Sequence, residues 1–226
     1  MDFATVYANV VKLWTNYWHI FIFEGVVNTL KLTVIAVFLG AILGMVVAML
    51  KMNKYAIIRF LISIYIEIIR GTPILLQLYL FVFGLPSLFP ALQLDKFTWV
   101  AIALCINSSA YVSEVFRSGI QSVDKGQSEA ARSLGLTSSQ TMIKIVIPQA
   151  IRNILPALGN EFIMILKETS LASTFFIGDI MTSYLKVKGV TYLAFEGLII
   201  AGALYFCLTF PLSKIVAYFE KRMKAN

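Results

Sequence analysis

"GVVNTLKLTVIAVFLGAILGMVVAML", residues 25–50, is the run that decides the fold class. An α-helix rises about 1.5 Å per residue, so roughly 20 apolar residues cross the ~30 Å hydrocarbon core of a bilayer. This run is long enough to do so. Comparable runs lie at residues 56–83, 97–117, 149–176 and 192–216, and Lys51, Lys54 and Arg59 bracket the first gap. The second and fourth are long enough to tilt or break. In hydrocarbon every backbone N–H and C=O must be paired within the protein, which leaves helices or a closed barrel, and the ten-residue alternation of a barrel does not occur. The fold class predicted is therefore all-α: a polytopic membrane protein of about five transmembrane helices.

Composition agrees. The 226 residues are 59% hydrophobic and only 14% charged, with a mean hydropathy of +0.81. That is more apolar surface than one soluble domain can bury, so lipid must cover the remainder. No Pro/Ser-rich linker, low-complexity tract or internal repeat divides residues 1–226, so one membrane domain is expected. Lys51, Lys54, Arg59, Lys125, Arg132, Lys144, Arg152, Lys221, Arg222 and Lys224 share one side of these spans, against Lys12, Lys96, Lys186 and Lys188 on the other. The bias places the N-terminus outside and the C-terminus in the cytoplasm. The net charge of +7 is then chiefly an orientation signal at an anionic inner leaflet, and no clustered basic face supports nucleic-acid binding.

Residues 1–24 read as an outer interfacial segment carrying Trp14, Tyr17, Trp18 and His19, without the basic, apolar and small-residue sequence of a cleaved signal peptide. His19 is the one histidine, which excludes His-based catalysis and multi-His metal sites. Cys105 and Cys207 fall inside spans without ligand-like spacing, so neither a disulfide nor a metal is expected. A membrane-embedded enzyme would need a nucleophile with its base, or a metal cluster, and no such set is present.

A second stretch, "GQSEAARSLGLTSSQTMIKIVIP" at residues 126–148, is neither greasy enough to cross a membrane nor basic enough to lie on one. Asp124 and Gln127 have capping-box spacing, so a helix should begin there and run to Leu134, where Gly135 can close it in the left-handed conformation. Thr137 and Gln140 repeat the spacing, and a second helix continues until Pro148 bends or restarts it. The first helix offers a small face of Ala130, Ala131 and Leu134 and a polar face of Glu129, Arg132 and Ser133. At two to three turns it is too short to be stable alone. It is either a surface helix lying at the membrane or an element packed against a separate cytoplasmic protein.

Glu129-Ala130-Ala131, three residues, Gly135, nine residues, then Ile145-x-Ile147-Pro148 resembles the cytoplasmic EAA signature of ABC importer permeases, with Ile147 where Leu is usual. Arg70-Gly71-Thr72-Pro73, "INSSAYVSEVFRSGIQSV" (106–123) and "LGNEFIMILKETSLAS" (158–173) resemble the branch that imports polar amino acids. The resemblance implies a type I importer permease fold in a bacterial cytoplasmic membrane. It makes residues 124–148 a coupling region whose short helix, Glu129, Ala130, Ala131, Arg132, Ser133, Leu134, Gly135 and Leu136, enters a groove of an ATP-binding subunit. It further implies two copies of that subunit, a second identical or related permease chain, an extracytoplasmic solute-binding protein and an amino acid substrate such as Arg, His, Lys or Gln. ATP and Mg²⁺ would be handled by the partner. A phosphate-cradling loop needs Gly-Lys before Ser or Thr, and that dipeptide does not occur here. Five spans also enclose too little interior for a pathway, which favours pairing with another chain. The competing reading is an ion-gradient-driven secondary transporter or channel, whose marks would be inverted repeats or carboxylate relays.

Charges within spans must be paired, face a cavity or reach water. Glu67 with Arg70, and Glu114 with Arg117, have the three-residue spacing of intrahelical ion pairs, and Pro73 frees the carbonyl of Ile69 and predicts a kink. Gly40 and Gly44 predict close helix packing. Glu161 has no basic residue three or four positions away and lies roughly 13 Å into its span, counted from Arg152. It either faces a water-filled cavity and receives a cationic group of the substrate, with Asn160, Asn107 and Tyr111 supplying hydrogen bonds, or is protonated, or is bonded to Asn107 or Arg70. Lys167-Glu168-Thr169-Ser170 predicts an interrupted helix lining the pathway, with Ser170 a further substrate candidate and Lys167 free to pair with Asp179 or Glu168.

Overall fold

The computed structural model describes residues 2–225. Its helices are α1 (Phe3–Lys51), α2 (Ala56–Gly71), α3 (Ile74–Leu88), α4 (Lys96–Gln121), α5 (Lys125–Ser133), α6 (residues 138–168), α7 (Ile180–Thr191) and α8 (Ala194–Ala225). No strand occurs among the described residues. By length and apolarity α1, α4 and α8 can each cross a membrane, and α2 with α3 would make a fourth, broken span. The fourth apolar run, residues 149–176, does not qualify on that ground. Its helix carries Arg152, Glu161, Lys167 and Glu168 and packs among α1, α4 and α8.

The first span begins far earlier than residue 25. A π turn at Ile20–Val26 joins the N-terminal helix Phe3–His19 to the apolar run without a break. The turn is held from outside: the Ser183 hydroxyl of α7 donates to the Ile20 carbonyl at 3.2 Å. Leu13 and Phe21 are buried with Ile180, Val187 and Ile200, and Asn9 donates to Glu196 at 2.9 Å. Trp14 and Trp18 stay largely exposed. Residues 3–24 are thus continuous helix, anchored to α7 and α8 at Asn9, Leu13 and Phe21.

The main core joins α1, α3, α4 and α6 through Leu32, Ala36, Leu78, Val100, Leu104 and Ile165. A close seam runs between α1 and α4, where a Cβ on Gly40 would stand 2.8 Å from Ser108 Cβ and one on Gly44 would stand 2.7 Å from Val112 Cγ1. Because lipid is as apolar as Leu, helices in a membrane gain little from hydrophobic burial and associate through such close packing.

Two interruptions shape the interior. Helices α2 and α3 meet at 104° across Thr72 and Pro73. Thr72 is extended, with φ −115° and ψ 144°, the conformation that a following proline ring enforces. At the end of α6 the α-helix tightens to a 3₁₀ segment, Thr169–Phe175. There Thr169 Oγ1 donates to the Leu166 carbonyl at 2.7 Å and Ser173 Oγ to the Ser170 carbonyl at 2.8 Å. Phe176 (φ 56°) and Gly178 (φ 86°) then turn the chain, and Asn28 of α1 donates to the Gly178 carbonyl at 3.2 Å. Asp179 does not pair with Lys167. It is fully buried and caps α7, accepting from the Met181 N–H at 2.9 Å and from the Thr182 hydroxyl.

Replacing Gly44 with Val forces α1 and α4 apart and is expected to cost about 1–3 kcal/mol, the range for overpacking. Gly202→Ala, inside α8 where a Cβ meets nothing within 4 Å, should not destabilise and gains up to about 1 kcal/mol of helix propensity. Thermal unfolding of the detergent-solubilised protein checks both, and equal unfolding temperatures would reject the seam as a determinant.

Candidate functional site

The α2–α3 break opens a cavity of about 350 Å³ lined by Arg70, Gly71, Thr72, Pro73, Ile74, Asn107, Tyr111 and Glu168. The sequence builds it through Pro73, which has no N–H to close the last turn of α2 and leaves the Ile69 carbonyl bare. Gln77, one turn into α3, takes up that carbonyl: its Nε2 donates at 2.7 Å to Ile69 O, at 3.1 Å to Thr72 O and at 2.8 Å to Thr72 Oγ1. Gln77 Oε1 accepts from Asn107 Nδ2 at 3.0 Å, tying the break to α4. Asn107 is itself buried, and its Oδ1 has no hydrogen-bond partner.

Arg70 does not form the ion pair expected with Glu67. Its guanidinium lies over the Tyr111 ring, 5.4 Å from the centroid, and Nη1 is 3.9 Å from Glu114 Oε2. Glu114 is held mainly by Arg117, whose Nη2 and Nε donate to Oε2 at 2.6 and 3.0 Å. The shared carboxylate leaves Arg70 incompletely neutralised, with 44% of its side chain exposed. Across the cavity Glu168 Oε2 is buried without a partner. The cavity lining thus combines one available cation with two residues, Asn107 and Glu168, that each bury an unpaired acceptor beside it.

Glu161 is absent from this lining. It is only 6% exposed, and Oε1 has no partner; the Asn107 amide goes instead to Gln77 and the Arg70 guanidinium to Glu114 and Tyr111. Glu168, two turns further along α6, holds the cavity position expected of Glu161. Asn160 is exposed elsewhere, and Ser170 also lies outside the lining. Of the substrate candidates, Asn107 and Tyr111 are brought together. Gln77 escaped sequence reasoning, although an amide four residues after Pro73 in an otherwise apolar run was its signal. No group of three or more His, Cys, Asp or Glu side chains among the described residues could hold a metal ion.

A second feature is α5 and its surroundings. Asp124 caps it by accepting from the Gly126 N–H at 2.7 Å. The box expected with Gln127 does not close, because the Gln127 side chain faces Gln149 at 3.5 Å. The box between Thr137 and Gln140 does, with Thr137 N to Gln140 Oε1 at 2.9 Å and Gln140 N to Thr137 Oγ1 at 3.3 Å. Gly135 has φ 88°, and Leu136 N reaches back to Ala131 O at 3.1 Å, the paired closure of a glycine-terminated helix. Ala131 is turned into the protein at 5% exposure, whereas Leu134 is bare at 82%. The small face expected of α5 is therefore divided: Ala131 anchors it, and Glu129, Ala130, Arg132, Ser133 and Leu134 are presented outward.

Residues 36–225 match the family described as the binding-protein-dependent transport system inner membrane component. The chain belongs to that family. The permease is 40% identical over 206 residues to the arginine transport system permease protein ArtQ of Bacillus subtilis, covering 91% of this chain and 94% of the relative. It is likewise 40% identical over 207 residues to a putative glutamine transport system permease protein GlnP of Rickettsia typhi, covering 92% and 94%. The crystal structure of an amino acid ABC transporter with histidines superposes with a TM-score of 0.88 at 44% identity over 98% of the permease and 99% of that chain. An inward-facing structure of the MetNI methionine ABC transporter shares the fold alone, with a TM-score of 0.68 at 18% identity over 88% and 96%.

The division of α5 is testable in the permease itself. Ala131→Leu overfills a packed position and is expected to destabilise by about 1–3 kcal/mol, whereas Leu134→Ala, at an exposed site, should stay within about 0.5 kcal/mol. Thermal unfolding that reverses this order would show that α5 packs by its other face.

Proposed function

We propose that the permease carries polar or cationic amino acids, of the class of Arg, His, Lys and Gln, inward across a bacterial cytoplasmic membrane, powered by ATP hydrolysed with Mg²⁺ in a separate subunit. The observation that carries this reading is α5: a short helix capped by Asp124 and closed by Gly135, ending in a bare Leu134. Burying one such side chain is worth about 1.5–3 kcal/mol, and a capped, anchored helix can transmit a push as a rigid body. Two ATP-binding subunits would each seat one such helix, from this chain and from an identical or related second permease. An extracytoplasmic solute-binding protein would deliver the substrate, with the N-terminus outside and the C-terminus in the cytoplasm.

The cavity at the α2–α3 break suits the cargo. An α-amino acid presents a carboxylate and an ammonium group a few ångströms apart, and the cavity offers Arg70 to the first and Glu168 Oε2 with Asn107 Oδ1 to the second. Charge-assisted hydrogen bonds of this kind are about twice as strong as neutral ones. Tyr111 under the Arg70 guanidinium fixes where the cation stands.

The permease and its partner ATPase, reconstituted in proteoliposomes with the binding protein, should take up labelled arginine or glutamine only when ATP is supplied, with ion gradients held constant. Uptake that persists without ATP would return the protein to the ion-gradient class. Gly135→Val, which puts a β-branched residue at φ 88°, is expected to reduce ATPase copurification while membrane insertion is kept; undiminished copurification would count against the docking role of α5. Glu168→Gln should lower uptake of arginine and glutamine alike, because the α-ammonium group it receives is common to both, and Glu161→Gln, outside the cavity, should leave uptake unchanged.

A further inference from the structure

We infer that Gln77 is a positioning residue that fixes the hydrogen-bonding polarity of Asn107, so that the permease cavity offers a substrate an acceptor and not a donor at that point. The inference rests on the reading of this cavity as the passage for amino acids. It follows from a chain of bonds that allows one assignment. The Thr72 hydroxyl donates to the Ile68 carbonyl at 2.8 Å, so its oxygen is left as an acceptor toward Gln77. Ile69 O and Thr72 O are carbonyls and can only accept. The end of the Gln77 amide that meets these three oxygens at 2.7–3.1 Å must therefore be the NH₂. Amide orientations are settled by such networks, and this one places Oε1 toward Asn107.

With Oε1 at 3.0 Å, Asn107 must turn its own NH₂ to Gln77. Its Oδ1 is then the free end, buried and without a partner. A buried acceptor left unsatisfied is costly, and a donor of the cargo relieves that cost where another acceptor would not. The α-ammonium group is such a donor, and the 2-hydroxy analogue of the same acid offers a weaker, neutral one. Asn107 is only 2% exposed and Gln77 only 4%, so water competes poorly for either amide. The proline-broken helix of α2 thereby sets, through one side chain, the sign of a contact on α4.

The test uses the permease assembled with its ATPase in nanodiscs, with equilibrium binding of tritiated arginine and glutamine, each against its 2-hydroxy analogue. Gln77→Met keeps the chain length and removes every bond. It is expected to weaken binding of the amino acids about five- to tenfold and to narrow their advantage over the analogues, since Asn107 can then turn either end inward. Adding Asn107→Asp, which has only acceptors to present when ionised, should restore that advantage. Gln77→Glu keeps an oxygen toward Asn107 while losing donors to α2, so it should lower the unfolding temperature and retain the advantage. Should Gln77→Met fail to assemble, the Gln77→Glu variant decides the matter alone: loss of the advantage there overturns the inference. A Gln77→Met complex that weakens both ligand classes equally and is not rescued by Asn107→Asp shows a purely structural clamp and also overturns it. If the unaltered complex binds neither amino acid, or Asn107→Leu leaves binding unchanged, the cavity reading itself is rejected, and this inference falls with it.

Discussion

A backbone carbonyl cannot be left bare in hydrocarbon, and the one freed at Ile69 organises the centre of this permease. Pro73 creates the vacancy in the hydrogen-bond ladder, and without a replacement partner an unsatisfied buried group costs about 1–3 kcal/mol. Gln77 supplies the partner from the next helix. Because one amide meets Ile69 O, Thr72 O and Thr72 Oγ1 together, the 104° bend is a fixed geometry and not a loose joint. The cavity exists because the bend does: Arg70 and Ile74 stand on its two arms, and Asn107 and Tyr111 face it from α4.

The second requirement is that α4 be held in register with that bend. Gly40 and Gly44 let α1 come within contact distance of Ser108 and Val112, and Tyr65 of α2 bonds the Ser109 hydroxyl at 2.6 Å. Asn107 and Tyr111 immediately precede Ser108 and Val112 on the same helix. A shift of α4 by one residue would carry Asn107 away from Gln77 and Tyr111 from beneath Arg70. Small residues at the seam therefore serve the site, not only the packing.

The helical class, the proline break, the Thr137–Gln140 box and the glycine closure at residue 135 were all legible in the sequence, because each depends on residues within a few positions of one another. What was not legible depends on azimuth and on neighbours distant in sequence. Counting from Arg152 gives the depth of Glu161 along α6 but not the side it faces, and the cavity falls instead to Glu168. Spacing alone favoured Glu67 for Arg70, yet Glu114 lies on an adjoining helix and Tyr111 lies beneath the guanidinium. Asp124 found a nearer donor in Gly126 than the box spacing implied. The π turn at Ile20–Val26 inserts a residue into the helical period, so hydrophobic periodicity could not show that α1 continues back to Phe3.

The two features of the site lie toward opposite ends of one element. From Ser138 to Glu168, α6 extends about 45 Å at 1.5 Å per residue, with α5 packed against its π turn at Met142–Val146 and Glu168 lining the cavity. Pro148 follows that turn and Pro156 lies farther along, so the helix contains two points where a ladder bond is missing and bending is easiest. Packing opposes bending at the second: Pro156 and Ile154 are buried, and α6 lies against both α4 and α8. The first is less enclosed, since Ile147 and Ile151 are exposed. A force applied at α5 would therefore be taken up as flexure at the π turn and, beyond it, as movement of a stiff rod. Because Glu168 is where that rod gives way to the 3₁₀ segment, under the proposed function such a displacement would reach the cavity as a change in the distance between Glu168 and the bend that holds Arg70, the separation that a zwitterion held between them would sense.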